Sequence, residues 1–270
     1  MSEKKLHLLL TNDDGINSAG IRYLWEGLKD KANITIVAPD KERSGSGAAA
    51  TFDHITITAV NWEPPTKAYK VSGTPVDCVR TALSILLETP PDMIISGINH
   101  GTNSGRTIVY SGTIGAVIEG VLRNIPGVAF SYWKYDTEAF SHTTKYIWPI
   151  VDYLSKQPIP HGSFYNVNFP EHLDEKIKGF KVVPHGFSGW VENPKQQFHP
   201  DGLLQYSMHG TWIDHHEPEG TDVHYLKQGY ITAAPIHIAQ LTDFNLLELH
   251  KDSFERSFQE YFQTLTAAPT

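Results

Sequence analysis

The 270-residue sequence predicts an α/β fold with a mostly parallel sheet between two helix layers. Short apolar runs alternate with amphipathic stretches through the first half, which is typical of β-α-β units with right-handed crossovers. Polar segments follow several of the runs, as expected where strand ends form a ligand site. The composition, 40% hydrophobic and 19% charged, is that of a globular chain. We therefore expect a Rossmann-like three-layer sandwich, extended by a C-terminal hairpin and helix.

The elements of the first half follow from apolar periodicity and from the residues that end each run. The predicted strands are Leu6–Thr11, Ile34–Ala38, Asp92–Ser96 and Gly127–Ser131. The predicted helices are Gly20–Lys29, Pro75–Leu87 and Ile114–Leu122. Signals weaken after Trp133. There we expect a helix at Thr143–Leu154, strands at Phe164–Phe169, Gly179–Val183 and Gly229–Ala234, loop and hairpin over Ser188–Glu219, and a C-terminal helix at Leu246–Thr264.

The net charge of −8 argues against nucleic-acid and anionic-membrane partners, since a broad positive field is absent. The start MSEKKLHLLLTNDDG has too short an apolar run for a signal peptide, and no later run is long enough to span a membrane, so we expect a cytoplasmic protein. The single cysteine, Cys78, excludes an intrachain disulfide and favours a small buried residue over a nucleophile.

Asp13 and Asp14 are adjacent carboxylates directly after the first predicted strand. Each raises the pKa of the other unless a cation or strong hydrogen-bond donors neutralise the pair, so a divalent cation is one explanation. Ser44 and Asn99 offer further oxygen ligands at neighbouring strand ends, of the kind that Mg, Mn or Ca prefers. The other explanation is that the pair only caps the following helix, and the Asp-Asp-Gly sequence leaves both open.

Three glycine-rich segments can contribute to an anion site. Ala38–Gly47 and Ser96–Gly105 permit close backbone approach to an anion, although the first is also typical of a surface turn. Tyr110–Gly115 opens a predicted helix, whose amides and dipole can hold a phosphate while Ser111 or Thr113 serves as N-cap. None matches the P-loop or the dinucleotide fingerprint, which counts against nucleotide kinases and dehydrogenases.

Five segments together resemble the survival nucleotidase family called SurE, in family order and at family-like spacing. They are TNDDGINSAGI (Thr11–Ile21), APDKERSGSG (Ala38–Gly47), VSGTPVDCV (Val71–Val79), DMIISGINHGTN (Asp92–Asn103) and VYSGTIGAVIEG (Val109–Gly120). The later chain adds the thinner matches NVNFP (Asn166–Pro170), GTD (Gly220–Asp222) and GYITAAPI (Gly229–Ile236). The resemblance therefore supports the type of reaction more strongly than the identity of the substrate.

The resemblance implies one divalent metal cation per subunit, Mg or Mn, with ligands at Asp13, Asp14, Ser44 and Asn99. It also implies phosphate binding by the Gly45 backbone, Asn103, Ser111, Gly112 and Thr113. The catalytic carboxylates are Asp14 and Asp13. The sequence leaves two mechanisms open: Asp14 acts as general base on a water, or a carboxylate attacks the phosphorus directly.

The activity implied by the resemblance is hydrolysis of nucleoside 5′- and 3′-monophosphates, with short polyphosphate as a further substrate in some members. The family's hairpin and C-terminal helix commonly exchange between subunits, so we expect a homodimer or homotetramer. We expect a single domain overall. Residues 1–135 form the α/β core with the metal and phosphate site, and residues 136–270 continue it with the oligomerising hairpin and helix.

Two other functions compete with the phosphatase. A non-catalytic nucleotide- or sugar-binding module has the same kind of sheet but little use for a buried cation site. A phosphotransferase of the aspartyl-phosphate type requires two Asp separated by one residue, whereas Asp13 and Asp14 are adjacent.

Other polar and aromatic residues are expected to have lesser roles. The cluster Asp214–Glu217 lacks the helical spacing of a zinc site, and His100 is expected to be a solvent-facing loop residue. Trp190, Trp212 and Tyr206 are expected to pack against core or a partner subunit, with stacking on a nucleobase as the alternative.

Overall fold

The computed structural model describes residues 5–134, 137–173, 177–208, 210–238 and 241–266. The strands are β1 (His7–Thr11), β2 (Asn33–Pro39), β3 (Ile57–Val60), β4 (Lys67–Val71), β5 (Met93–His100), β6 (Gly127–Tyr132), β7 (Ser163–Phe169), β8 (Phe180–Val182), β9 (Gly189–Glu192), β10 (Lys195–Phe198), β11 (Leu204–Ser207), β12 (Gly210–Ile213) and β13 (Ile231–His237). The α-helices are α1 (Ala19–Leu28), α2 (Pro75–Thr81), α3 (Gly112–Leu122), α4 (Thr144–Ser155), α5 (Asp222–Lys227) and α6 (Phe244–Thr266).

Within those ranges, nine strands form one sheet in the order β3-β4-β2-β1-β5-β6-β7-β13-β8. The strands from β4 to β7 in that order are parallel neighbours, whereas β3 runs antiparallel to β4 and β13 antiparallel to β7. Strand β1 lies between β2 and β5, so the carboxyl ends of these three strands meet at one edge. The predicted α/β sandwich with a mostly parallel sheet is confirmed.

Successive residues of the central strands face opposite helix layers. Leu8 and Leu10 belong to a core with α1 and α4, whereas Leu9 packs with residues of α2 and α3. Because both faces are covered by helices, the strands are apolar along their whole length. The strand ends are then the places where polar side chains collect.

Helix α1 packs closely on the sheet beside the predicted site. Ile21, Leu24, Trp25 and Leu28 form its buried face, as the sequence periodicity predicts. At Gly20, an added Cβ would lie 1.9 Å from the carbonyl oxygen of Ile98 on β5. This approach fixes the position of the loop between β1 and α1 relative to the end of β5.

Several elements differ from the sequence prediction at their ends or were missed. The predicted helix Pro75–Leu87 is α-helical only to Thr81, after which Ala82–Leu86 forms a π-helical turn. Strands β3 and β4 and the short helix α5 were not predicted. Strand β3 is an edge strand and β4 lies next to it, and both are short and partly exposed.

The region Ser188–Glu219 contains two hairpins. Strand β9 pairs with β12, and β10 pairs with β11, both antiparallel. Many apolar residues here are exposed, including Phe198, Leu204 and Tyr206. In the part of the chain that the structure describes, no helix has the length and apolarity needed to cross a membrane.

We predict that Gly20→Ala lowers the free energy of unfolding by about 2 kcal/mol or more, because the new methyl group collides with a rigid backbone carbonyl. Urea unfolding followed by circular dichroism measures the change. Gly189→Ala is the matched control, since a Cβ there meets Arg106 only at 3.8 Å. Equal unfolding midpoints for the two variants would contradict the close packing of α1 on β5.

Candidate active site

The loops after β1, β2 and β5 meet at one edge of the sheet and are joined by backbone contacts. The amide of Arg43, in the loop after β2, donates to the carbonyl oxygen of Asp13 at 2.7 Å. The amide of His100, at the end of β5, donates to Asp14 Oδ2 at 3.3 Å. The amide of Gly47 donates to the carbonyl oxygen of Tyr110, just before α3, at 3.0 Å. Four chain segments therefore surround the carboxylate pair.

Asp13 is 3% exposed and lies at the N-terminus of α3. Its Oδ1 accepts a hydrogen bond of 2.6 Å from the Thr113 hydroxyl. Burial raises the pKa of Asp13, while the Thr113 hydroxyl and the Gly112 and Thr113 amides oppose that rise. The N-terminus of α3 thus stabilises the ionised form of Asp13, as helix N-termini stabilise bound anions.

The pKa of the neighbouring carboxyl, Asp14, is also raised. Burial, the neighbouring Asp13 charge and the Glu42 charge together raise the pKa of Asp14 to about 7, although the His100 amide partly opposes this. A nearby positive charge would relieve the repulsion that keeps the carboxyl protonated. A cation bound beside the pair would therefore favour the ionised form of both carboxyls.

Asn99 is brought to the same edge by an irregularity in β5. The register between β5 and β6 shifts between Ser96 and Asn99. Gly97 lies there at φ 130°, and a Cβ on it would lie 2.3 Å from the Phe130 carbonyl oxygen. The Asn99 amide nitrogen donates to the carbonyls of His100 at 3.2 Å and Gly101 at 2.7 Å. These bonds orient the amide and leave its carbonyl oxygen as the atom available to a cation.

Ser44 is placed on the exposed loop after β2, where its hydroxyl donates to Glu42 Oε1 at 2.7 Å. The preceding residue, Arg43, connects this loop to the carboxylate pair, because its backbone amide donates to the Asp13 carbonyl oxygen. Among the described residues, no cluster of three or more His, Cys, Asp or Glu side chains can hold a metal ion. Hydroxyl and amide oxygens beside two carboxylates form a set of donors that suits a hard divalent ion.

The predicted phosphate-binding turn lies directly against Asp13. Ser111 caps α3, its hydroxyl accepting from the Ile114 amide at 3.2 Å. A Cβ at Gly112 would lie 2.5 Å from Ser46 Oγ and 2.9 Å from Asp13 Cβ. Ser46 Oγ is buried and has no hydrogen-bond partner in the described part of the chain, so it is a donor that sequence reasoning missed. Gly45 has a φ of 75° and open space around it.

Asn103 lies in a buried polar network rather than in an open loop. Its amide donates to Asn168 Oδ1 at 2.9 Å, and its side-chain nitrogen donates to Ser131 Oγ at 2.8 Å. Its carbonyl oxygen accepts from Asn166 Nδ2 at 2.8 Å. Asn166 and Asn168 belong to the segment NVNFP, which the sequence singled out without assigning either residue a role.

His100 is not the solvent-facing residue that the sequence predicts. Its ring is half-buried and lies 4.7 Å, centroid to centroid, from the ring of Phe140. Burial lowers the pKa of His100, and the Glu42 charge opposes this. The prediction was wrong because Phe140, forty residues away, covers the loop.

The remaining candidates have structural contacts. Glu217 accepts from the amides of Phe187 and Ser188 at 3.1 and 2.9 Å. Trp212 packs against Trp133 and Trp190, at centroid distances of 5.3 and 5.8 Å. Cys78 is buried, and this burial raises the pKa of its thiol well above its ordinary value, which confirms an inert residue.

Comparisons with known proteins give one consistent family. A family model described as survival protein SurE matches residues 8–192. The 5′-nucleotidase SurE of Protochlamydia amoebophila is 40% identical over 258 residues, which cover 94% of this chain and 98% of that protein. The 5′-nucleotidase SurE of Christiangramia forsetii is 37% identical over 240 residues, covering 87% of this chain and 92% of that protein. The crystal structure of the SurE protein from Aquifex aeolicus superimposes with a TM-score of 0.77 at 34% identity, covering 91% of this chain and 98% of that one.

The Asp14 carboxyl makes a pH-dependent prediction for protein treated with EDTA. Its pKa rises from 3.8 in the unfolded chain to about 7 in the folded one. The folded state therefore favours the protonated form, and this contribution is fully present below pH 3.8 and lost as pH rises through 7. We expect stability to fall between pH 5 and 8 by on the order of a few kcal/mol, and Asp14→Asn to flatten that fall.

Urea unfolding at several pH values measures this effect. Asp53→Asn is the control, since the Asp53 side chain is 89% exposed and lies outside the site. An Asp14→Asn protein whose stability falls with pH as steeply as the parent's would show that Asp14 is not the perturbed group.

Proposed function

The chain belongs to the survival protein SurE family, and on that basis we propose that it is a 5′-nucleotidase, a phosphomonoesterase that releases phosphate from nucleoside 5′-monophosphates. The observation that carries the proposal is the pair of adjacent carboxyls, Asp13 buried at the N-terminus of α3 and Asp14 half-buried beside the His100 amide. A non-catalytic binding module gains nothing from two adjacent carboxyls with raised pKa values. Such groups are typical of catalytic sites.

We propose that Asp13, Asp14, Ser44 and Asn99 hold one divalent cation, Mg²⁺ or Mn²⁺, in each subunit. The support is the oxygen-only donor set, the oriented Asn99 amide and the electrostatic deficit at the two carboxyls. When bound, the cation supplies positive charge that ionises both carboxyls and stabilises negative charge on a phosphoryl group.

In this proposal, some side chains and amides hold Asp13 and the phosphoryl group, and Asp14 takes part in the reaction itself. Thr113 and the first amides of α3 hold Asp13, and the Ser46 hydroxyl is free to donate to an anion beside Gly112. Gly45, exposed and unobstructed, lets its amide approach a phosphoryl oxygen. Asp14 either accepts a proton from the attacking water or attacks phosphorus itself.

Phosphate release from adenosine 5′-monophosphate and from p-nitrophenyl phosphate tests the function. We expect activity with Mg²⁺ or Mn²⁺, its loss with EDTA, and a fall in kcat of about 10²–10⁴-fold in Asp14→Asn. Asp53→Asn is the matched control and should retain full activity. Full activity of Asp14→Asn at saturating metal would refute the catalytic role of Asp14. Activity of the parent protein in EDTA would refute the requirement for a divalent cation.

The family resemblance implies wider specificity, and the same assay tests it. We propose activity on 3′-monophosphates and short polyphosphate as well, because the site binds the phosphoryl group through backbone and hydroxyl donors that do not read the rest of the substrate. Comparable kcat/KM values for 5′- and 3′-adenosine monophosphate would support this. No release from the 3′ isomer or from tripolyphosphate would restrict the enzyme to 5′-nucleotides.

We also propose a homodimer or homotetramer. An apolar groove of about 740 Å³ lies between α4 and the sheet edge, lined by residues that include Tyr146, Ile150 and Phe180. Helix α6 exposes an aromatic stripe in which Phe254 and Phe258 are 71% and 50% exposed. Exposed apolar surface of this extent is typical of subunit interfaces.

Light scattering on the full chain and on a Phe254→Ser/Phe258→Ser double variant tests this assembly. We expect a dimer or tetramer for the parent and a smaller species for the double variant, because the stripe loses its apolar side chains. Lys251→Ser on the same helix is the control. A monomeric parent protein would refute the assembly.

A further inference from the structure

Asp222 is a fully buried carboxylate outside the proposed catalytic group, and it joins three distant segments. Its Oδ1 accepts from the amides of Gly186 and Val223, each at 2.7 Å. Its Oδ2 accepts from the amide of Gly105 at 3.0 Å. Gly105 ends the loop that carries Asn103, so Asp222 holds one end of a predicted phosphate-binding segment.

His185 connects Asp222 to Asn166 on strand β7. Its Nδ1 lies 3.1 Å from Asp222 Oδ2 and 3.0 Å from the Gly105 carbonyl oxygen. Both neighbours are acceptors, so Nδ1 carries the proton and donates to them. Its Nε2 lies 3.4 Å from Asn166 Nδ2, which is a donor, so Nε2 accepts. One imidazole tautomer thus satisfies every contact of the ring.

Asn166 completes the connection to Asn103. The second hydrogen of Asn166 Nδ2 is donated to the Asn103 carbonyl oxygen at 2.8 Å. The chain Asp222–His185–Asn166–Asn103 therefore consists of hydrogen bonds with consistent donors and acceptors. It runs from the start of α5 to the loop beside the carboxylate pair.

Helix capping alone does not account for Asp222. Thr221 already caps α5, its hydroxyl accepting from the His224 amide. The amides of Gly186 and Gly105 are 36 and 117 residues away from Asp222 in the sequence. Gly105 is also pressed against the base of the hairpin, since a Cβ there would lie 2.3 Å from the Ser188 carbonyl oxygen. The contacts determine where the loop lies rather than how α5 begins.

We propose that His185 and Asp222 are positioning residues for the loop Gly101–Gly105, and that they hold Asn103 where it contacts the substrate phosphate. The inference rests on the proposed function, because the role of Asn103 toward phosphate belongs to that proposal. Neither side chain needs to touch the substrate. Their effect is to keep the loop in one conformation before substrate binds, so that binding does not have to order it.

A pair of substitutions at His185 separates positioning from general stability. Asparagine places its side-chain NH₂ near the position of Nδ1, so His185→Asn keeps the donor to Asp222 and Gly105. Glutamine places its NH₂ near the position of Nε2, so His185→Gln loses that donor. We expect His185→Gln to raise KM for adenosine 5′-monophosphate by about tenfold with kcat nearly unchanged. His185→Asn keeps the donor to Asp222 and Gly105 but loses the acceptor for Asn166 Nδ2, so we expect a clearly smaller rise in KM.

Two controls keep the comparison specific. His224→Asn changes a half-buried histidine on α5, outside the chain of hydrogen bonds from Asp222 to Asn103, and should leave KM unchanged. Glu217→Gln loosens the neighbouring hairpin base, where Glu217 accepts from the Phe187 and Ser188 amides, but does not reach Gly105. A KM shift in Glu217→Gln as large as in His185→Gln would overturn the proposal, as would equal KM values for the two His185 variants.

Amide hydrogen exchange over residues 97–110 gives a readout that needs no activity. We expect faster exchange in His185→Gln than in His185→Asn or the parent. If the parent cleaves no phosphomonoester, the proposed function fails, while faster exchange still supports the tie to the loop. If the parent is active and exchange is the same in all three proteins, the positioning role fails and the proposed function stands.

Discussion

The burial of the Asp13 carboxylate at the N-terminus of α3 is the constraint on which the site depends. A carboxylate with 3% exposure needs donors, and it finds them in the Thr113 hydroxyl and the first amides of the helix. The same residue accepts from the Arg43 amide through its backbone carbonyl. One aspartate thereby brings together the end of β1, the loop after β2 and the start of α3. The helix end that binds this carboxylate also faces the space beside it, where a phosphate can lie.

Glycines make this convergence sterically feasible. Gly112 and Gly115 stand where the first turn of α3 meets Asp13 and the loop at Gly47, and a Cβ on Gly115 would lie 2.0 Å from the Gly47 carbonyl oxygen. Gly97 takes a φ of 130° where β5 shifts its register, two residues before Asn99. The glycine-rich character of the loops therefore reflects close backbone packing as much as access for an anion.

The sequence predicted the parallel core well because its strands are continuous apolar runs and α1 carries a clear helical period. It missed β3, a short edge strand with no buried residue, and the adjacent β4, in which only Ala68 and Val71 are buried. The convergence of the loops at Asp13, Ser44 and Asn99 followed from the rule that parallel strand ends share one edge. The contacts of Asn103 with Asn166 and Asn168, and the role of Glu42 beside Asp14, depend on pairings between distant segments. A single sequence carries no local signal for such pairings.

The hydrogen bond from Gly105 to Asp222 spans 117 residues, and this separation has a consequence for synthesis of the protein. Strands β1 to β6 can pair with one another once Tyr132 has left the ribosome, since each of them has a pairing partner within that part of the chain. The loop at Gly105 reaches its final hydrogen-bonding pattern only after α5 has emerged and docked. A growing chain thus carries its carboxylate pair long before the loop proposed to bind phosphate is complete. Completion of the site reports that nearly the whole polypeptide has been made and folded.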